Sequence, residues 1–140
     1  MDNIKAAELG VANLAFLGDA VYELLVREEV AKSTNMPSIT LHQNAVKKVC
    51  AKAQAAAYNM LKTKLTEQEY NILKRGKNHK INSCPKNASP IEYKKATGLE
   101  TLFGYLYLTG NYARIREIFD YIFTYLEVRY CFYAYKVKIP

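Results

Sequence analysis

Two carboxylates lie inside apolar stretches of the sequence, and they are the side chains best suited to carry chemistry. Asp19 falls within the largely apolar residues 14–22, and Glu100 falls within residues 96–108. Burying such a charge is costly unless it is paired or bound to a metal ion. Two embedded acids on different helices would suit a hard, oxygen-binding cation such as Mg²⁺. Glu23, one helical turn after Asp19, is a weaker candidate for the same face.

Structural roles are the alternative explanation for these acids. Asp19 could pair with a lysine or an arginine, and Thr97 with Glu100 has the spacing of a capping box at a helix start. Nucleophilic schemes have no support beyond the presence of His42 and His79, and no glycine-rich phosphate-binding loop occurs. On the pattern alone, the metal-binding and the structural interpretations both stay open.

The elements that must position these acids are predicted to be helices. Apolar residues recur three and four positions apart over residues 9–30, and a second helix is predicted over residues 39–61, after a stop at Pro37. The positions expected to face the core are Leu14, Leu17, Val21, Leu24 and Leu25 in the first helix, and Leu41, Ala45, Val49, Ala53 and Ala57 in the second.

Local capping signals divide the second half of the chain. Thr66 and Glu69 have capping-box spacing and open a short helix that should end near Gly76. Ser89 before a proline opens the next helix, and Asn111 can cap the last one, although residues 130–139 are ambiguous. The core positions expected here are Leu99, Leu102, Phe103, Leu106 and Tyr107, then Ile115, Ile118, Phe119, Ile122, Phe123 and Leu126. No alternating pattern demands a sheet, so the sequence predicts an all-α domain of five or six helices.

The charge of the chain is concentrated in its middle third. Residues 47–95 carry a net charge of +9, whereas residues 1–46 carry −3 and residues 96–140 carry +1. Such an excess favours a polyanionic partner, and nucleic acid is the first to consider. The alternative is that the lysines are merely solvated helix faces. Residues 76–89 form a polar, basic, turn-rich stretch that predicts a functional loop.

Length and composition exclude several other classes of protein. The 140 residues are half apolar, which predicts one folded domain over residues 1–140 and excludes disorder. Three cysteines without a CxxC pair argue against a disulfide scaffold or zinc finger and for a reducing compartment. The start of the chain has no secretory pattern, and the longest uncharged apolar stretch, residues 101–113, is too short to span a membrane. A cytoplasmic protein is expected.

The motifs around both acids resemble those of a known family. Phe-Leu-Gly-Asp-Ala-Val at residues 16–21 resembles the signature of the ribonuclease III catalytic domain. Glu100, followed by Gly-Tyr-Leu-Tyr-Leu at residues 104–108, is similar to its second acidic motif. The Mini-ribonuclease III group is the more similar, because residues 51–55, 75–78 and 85–87 also resemble its pattern in the right order.

The resemblance covers about residues 10 to 110 and implies a homodimeric, Mg²⁺-dependent endoribonuclease, with Mn²⁺ as an alternative ion. It implies cleavage of double-stranded RNA to 5′-phosphate and 3′-hydroxyl ends, maturation of the 23S ribosomal RNA precursor, and a ribosomal protein as a candidate partner. Asp19 and Glu100 would be the catalytic, metal-binding residues. Candidate RNA contacts are Lys77, Asn78, Lys80, Lys86 and Asn87, and candidates for a supporting role or a further RNA contact are Glu23, Lys52, Gln54 and Thr97.

Two positions depart from the pattern of full-length ribonuclease III. That family has acids where this chain has Ala15 and Thr97, so four carboxylates are reduced to two. Mini-ribonuclease III proteins resemble this chain in the same losses. Water, Thr97 or RNA phosphate oxygens could complete a metal site, since Mg²⁺ commonly keeps several waters. The same losses motivate the alternative, a non-catalytic double-stranded-RNA- or ribosome-binding module on the same fold. The first helix around Leu14, Phe16 and Leu17 is the expected dimer seam.

Overall fold

A computed structural model describes residues 1–33, 37–40, 43, 50–80, 83–84, 86 and 89–137, with side chains described up to residue 125 except that of Ser33. Within these ranges the chain is helical and contains no strand, as predicted. The helices are α1 (Asn3–Glu8), α2 (Val11–Ser33), α3 (Ala51–Leu61), α4 (Glu67–Lys77), α5 (Pro90–Leu108) and α6 (Tyr112–Val137), and residues 38–40 are also helical. None of the described helices is long and apolar enough to cross a membrane.

The centre of the fold is the crossing of α2 and α5, where the two main chains touch. A Cβ atom added to Gly18 would overlap the carbonyl oxygen of Glu100 and lie 2.8 Å from the backbone nitrogen of Gly104. A Cβ atom on Gly104 would overlap the carbonyl oxygen of Leu14 in the same way. Two glycines therefore bring the helices closer than any larger residue would allow.

The buried face of α2 is rotated from the one predicted. After Val11 at its start, its fully or nearly buried positions are Leu14, Gly18, Tyr22, Val26 and Val30, each one turn after the last. Leu14 is buried as predicted, but Leu24, predicted on the same face, is 67% exposed. The other predicted core positions, Leu17, Val21 and Leu25, are half-buried. The face was misassigned because α2 is apolar on more than one side. The buried side is the one that carries Tyr22, which packs edge-on against Phe103 and Phe119 at the centre of the core.

The predicted helix over residues 39–61 is interrupted. Cys50 has extended backbone angles and is the N-cap residue of α3, which begins at Ala51. Alanines favour a helix on either side of such a break, so the amino-acid composition does not show where the break lies. Ala53 and Ala57 are buried as predicted, whereas Leu41, Ala45 and Val49 lie outside the described residues.

The capping box predicted at the start of α4 is confirmed, and the helix ends at Lys77, next to the predicted end near Gly76. The Thr66 hydroxyl accepts a hydrogen bond from the Glu69 backbone, and the Glu69 carboxylate accepts one from the Thr66 backbone. Gly76 does not stop the helix, which continues to Lys77. A Cβ atom there would meet the side chain of Thr101 and the Cα of Gly98, so Gly76 is a packing position against α5.

The beginning of α5 also follows its local signals. Ser89 accepts a hydrogen bond from the Glu92 backbone and is followed by proline in the first turn. Thr97 and Glu100 lie deep inside this helix. The alternative that they form a capping box at a helix start is therefore wrong.

The last helix, α6, extends well beyond the residues that it contributes to the hydrophobic core. Ile115, Ile118, Phe119 and Ile122 are buried as predicted, and Phe123 is partly buried. Leu126 lies beyond the described side chains. The stretch that is ambiguous in sequence continues α6 up to Val137, with residues 138–140 outside the described part.

A partly buried ion pair joins α4 to α6 across 45 positions of sequence. Arg114 donates to both oxygens of Glu69 at 2.8 and 2.9 Å, and to the carbonyl oxygen of Lys64. Burial alone would raise the pKa of Glu69, but its bonds with Arg114 and Thr66 hold that pKa below its usual value. The side chain of Glu69 is only 8% exposed, so it depends on this partner.

Removing Arg114 should lower the free energy of unfolding of the protein. Arg114→Leu leaves the carboxylate of Glu69 buried and unpaired, and we expect a loss of about 3 kcal/mol in the free energy of unfolding, measured by urea denaturation. Glu117→Ala removes only the exposed partner of the same arginine and should cost less than about 1 kcal/mol. Equal losses in both variants would contradict a structural role for the Glu69 pair.

Candidate active site

The α2–α5 crossing places Asp19 and Glu100 beside each other. Asp19 directly follows Gly18, and Gly18 faces the backbone of Glu100. Burial raises the pKa of Glu100 to about 8, and the charge of Asp19 adds to this effect. Burial and the nearby Glu23 raise the pKa of Asp19 as well. The two acids therefore share a region where negative charge is not compensated.

Positive side chains do not supply the missing charge. In the described ranges, no lysine or arginine lies within ion-pair distance of Asp19 or Glu100, which makes the pairing alternative for Asp19 wrong for this part of the chain. Glu23 has a partner of its own, because Arg27 donates to it at 2.8 Å. Glu23 therefore stays ionised in its ion pair with Arg27 and adds negative charge near Asp19.

Gln54 approaches the pair from α3. Its side chain is 2% exposed, and its amide Nε2 has no hydrogen-bond acceptor within the described residues. The amide faces Glu100 closely enough to oppose the rise of its pKa. An unsatisfied buried donor costs about 1–3 kcal/mol, so this nitrogen needs an acceptor in the working site.

The other candidate supporting residues are less directly engaged. The Thr97 hydroxyl donates to the carbonyl oxygen of Tyr93 and is half-buried, so its oxygen keeps acceptor capacity. Lys52, on the first turn of α3, is exposed. Ala15 lies one turn before Asp19 on α2 and is half-buried, with no polar group to offer.

The chemistry of this acid pair fits a divalent cation. Two carboxylates supply oxygen ligands of the kind Mg²⁺ prefers, and a bound cation would offset the burial and the charge of Asp19 that together raise the pKa of Glu100. No group of three or more His, Cys, Asp or Glu side chains lies together in the described ranges. Asp19 and Glu100 are thus the residues that would hold the ion, with water or substrate oxygens completing its shell.

The raised pKa of Glu100 predicts how stability depends on pH when metal is withheld. Between pH 4.5 and about 8 the unfolded chain has released the Glu100 proton while the folded chain retains it, so the free energy of unfolding should fall with rising pH. We expect a loss of a few kcal/mol over this window, measured by denaturation in chelator. Glu100→Gln should remove most of the slope, whereas parallel curves for the two proteins would contradict the assignment.

Three of the predicted RNA-contact residues, Lys77, Asn78 and Lys80, lie at or just after the end of α4. Asn78 caps this helix, Lys77 is half-buried, and Lys80 and Lys86 are exposed. Asn87 lies outside the described residues. Most of these positions are therefore accessible to a large anionic partner.

A basic cleft beside them was not predicted. It encloses about 610 Å³ and is lined by Val11, Asn71, Lys74, Arg75, Asn78, His79 and Lys80. Arg75 is committed to structure there, since it donates to the carbonyl oxygens of Ala7 and Leu9 and so ties α1 to α4. The spacing of Asn71, Lys74 and Asn78 on one helix face was the signal that could have revealed the cleft.

The outer surface of α2 is unusually apolar. Phe16 is 86% exposed, and Leu24 is also exposed. Leu24 belongs to the lining of an apolar cleft of about 250 Å³, with Val21, Leu25 and Tyr107 among others. Leu14, expected at a dimer seam, is instead buried in the core of its own chain, and Leu17 is half-buried. The exposed apolar surface therefore centres on Phe16 and Leu24.

Comparison with known proteins gives a consistent result. The family model described as Ribonuclease III domain matches residues 12–111. The chain is 47% identical to Mini-ribonuclease 3 of Brevibacillus brevis over 81% of its length and 85% of the relative's. It is 44% identical to Mini-ribonuclease 3 of a Thermoanaerobacter species over 76% and 75%. A crystal structure of a Fusobacterium nucleatum protein superposes with a TM-score of 0.79 at 32% identity, covering 89% of this chain and 98% of that one.

Proposed function

The chain belongs to the ribonuclease III family as an endoribonuclease, and from that premise we propose that it hydrolyses double-stranded RNA with Mg²⁺ held by Asp19 and Glu100. The observation that carries this proposal is the pair of neighbouring carboxylates at the α2–α5 crossing, which has no lysine or arginine partner among the described residues. Mn²⁺, which accepts the same oxygen ligands, would substitute for Mg²⁺.

Each residue of the site has a task in this proposal. Asp19 and Glu100 hold the ion, which when bound supplies a nucleophilic hydroxide and neutralises charge on the phosphate oxygens. Gln54 donates its free Nε2 hydrogen to Glu100 once that carboxylate is ionised, and so fixes its orientation. Thr97 offers its hydroxyl oxygen to a bound water. Glu23 keeps the region negative while Arg27 holds it in place.

In this proposal the basic surface binds the RNA. A-form RNA is recognised through its phosphates, 2′-hydroxyls and shape, which suits exposed lysines and asparagines on a loop. Lys77, Asn78, Lys80, Lys86 and Asn87, with Lys52 on α3, are the residues we assign to this contact. Residues 1–140 would act as one catalytic domain that itself holds the RNA.

A homodimer follows from the same argument, because cutting both strands calls for two acid pairs. The apolar surface around Phe16 and Leu24 supports it, since large exposed apolar residues of this kind favour association. Phe16 and Asp19 are three positions apart on α2, so a seam at Phe16 would border the acids.

Charging this surface should separate the subunits. We expect Phe16→Glu to shift the protein from dimer to monomer in sedimentation experiments, because a carboxylate would have to be buried at the seam. Ile4→Glu is the matched control, since Ile4 is similarly exposed on α1 and should leave the mass unchanged. A wild-type monomer, or an unaltered dimer in Phe16→Glu, would contradict this seam.

The cellular substrate we propose is the precursor of 23S ribosomal RNA, with the enzyme acting in the cytoplasm and a ribosomal protein as a candidate partner. Incubating the purified protein with long double-stranded RNA and with this precursor, in Mg²⁺ or chelator, tests the proposal. We expect metal-dependent products with 5′-phosphate and 3′-hydroxyl ends. Equal cleavage in chelator, or cleavage of single-stranded RNA alone, would overturn it.

A further inference from the structure

Three lysines from different parts of the fold converge on one buried tyrosine. The ammonium nitrogens of Lys62, Lys77 and Lys95 lie 5.7, 5.8 and 6.0 Å from the ring centre of Tyr58. No two of these nitrogens can then be more than about 12 Å apart, close to the screening length of about 8–10 Å at ordinary salt. We call these three residues with Tyr58 the lysine cluster.

The positive charge of the lysine cluster is not balanced by its surroundings. None of its lysines has an ion-pair partner among the described residues. Lys62 and Lys77 lie at the ends of α3 and α4, where each helix dipole contributes about half a negative charge. The Tyr58 ring attracts each ammonium only weakly. An excess of about two positive charges remains, which an anion would neutralise.

Packing fixes the lysine cluster in place. Tyr58 is 1% exposed, and Lys77 and Lys95 are half-buried. A Cβ atom on Gly98 would lie 3.0 Å from the Tyr58 ring and 3.2 Å from the Lys77 backbone nitrogen, so α3, α4 and α5 meet tightly at this point. Lys77 and Lys95 thus extend from a tightly packed three-helix junction, and the exposed Lys62 joins them from the end of α3.

The lysine cluster is also close to the acid pair. Gln54, beside Glu100, and Tyr58 lie one turn apart on α3, about 6 Å along its axis. An anion at the cluster would therefore be near the acid pair but distinct from any phosphate bound there.

We propose that Lys62, Lys77 and Lys95 form an anion subsite that binds a backbone phosphate of the RNA other than the one being cleaved. This inference rests on the proposed function for the identity of the ligand, but not for the existence of the subsite. It adds Lys62 and Lys95, which lie outside the basic loop, to the RNA-binding surface.

The subsite can be tested first without RNA. Inorganic phosphate, compared with chloride at equal ionic strength and in chelator, should raise the Tm of the wild-type protein by a few degrees through selective binding to the folded state. Lys62→Gln/Lys95→Gln should lose this shift. The control Lys5→Gln/Lys32→Gln removes the same charge from lysines that already face acids and should keep it. Equal shifts in the three proteins, or none in the wild type, would overturn the anion subsite.

Its assignment to RNA is tested separately, in an Asp19→Asn background with chelator. The salt dependence of binding to a short RNA duplex should become shallower in Lys62→Gln/Lys95→Gln, by about 1 in the log–log slope for each phosphate that the variant no longer neutralises. The control pair should leave the slope unchanged. A retained slope beside an abolished phosphate shift would overturn the RNA assignment alone. Absence of cleavage by the wild type would count against the proposed function, not the subsite.

Discussion

Asp19→Asn should lower cleavage of double-stranded RNA by about 10³-fold or more, equivalent to about 4 kcal/mol of transition-state stabilisation. The amide keeps the shape of the side chain but removes one of the two charges proposed to hold the metal ion. It also removes a negative charge that raises the pKa of Glu100, so in chelator the variant should be no less stable than the wild type. Cleavage rates, RNA binding and Tm measured together separate loss of chemistry from loss of fold.

The matched control is Asp120→Asn, the same chemical change at an exposed position of α6. It should keep nearly full activity. Retained metal-dependent cleavage by Asp19→Asn would reject Asp19 as a ligand. A variant that is inactive because it has lost its helical circular dichroism would instead indicate a structural role.

Gly18→Ala should be the most damaging small substitution in the core. Its methyl group would overlap the main chain of Glu100, which no side-chain rotation can relieve, so the helices must separate. We expect a loss of about 4 kcal/mol or more in the free energy of unfolding, beyond ordinary overpacking. Urea denaturation measures it, and failure to accumulate as folded protein would be the extreme case.

Gly10→Ala provides the control, because a Cβ atom there would have no neighbour within 4 Å. This variant should be as stable as the wild type or slightly more stable, since alanine restricts the unfolded chain. If Gly18→Ala were equally harmless, the close crossing would be wrong, and so would the adjacency of the two acids that depends on it.

Local signals in the sequence were sufficient for most helix starts. The capping interactions at Thr66 and Ser89 involve residues three positions apart, so they can be identified before any tertiary contact is known. The core of α6 was equally accessible, because its apolar positions fall on a single face. The two acids were recognisable as a candidate pair because each interrupts an apolar run.

Features that depend on distant residues were not accessible in the same way. The buried face of α2 was misassigned because Leu24 is as apolar as the residues that are buried, and only the partner helix decides between them. Glycine often ends a helix, yet the reason for a glycine at position 76 is its close contact with Thr101 on another helix. The partnership of Glu69 with Arg114, and the convergence of Lys62 with Lys95, join parts of the chain with no shared local pattern.

The contact between the α2 and α5 main chains has a consequence for redesign. Where side chains separate two helices, a change in the volume of those side chains alters the distance between the helices. At this crossing Gly18 and Gly104 bring the main chains into contact, so no layer of side chains sets the distance. Engineers could therefore exchange hydrophobic residues elsewhere, around Phe119 or Ile122 for example, to gain heat resistance while the two carboxylates keep their spacing. The two glycines are the positions that such a programme must leave untouched.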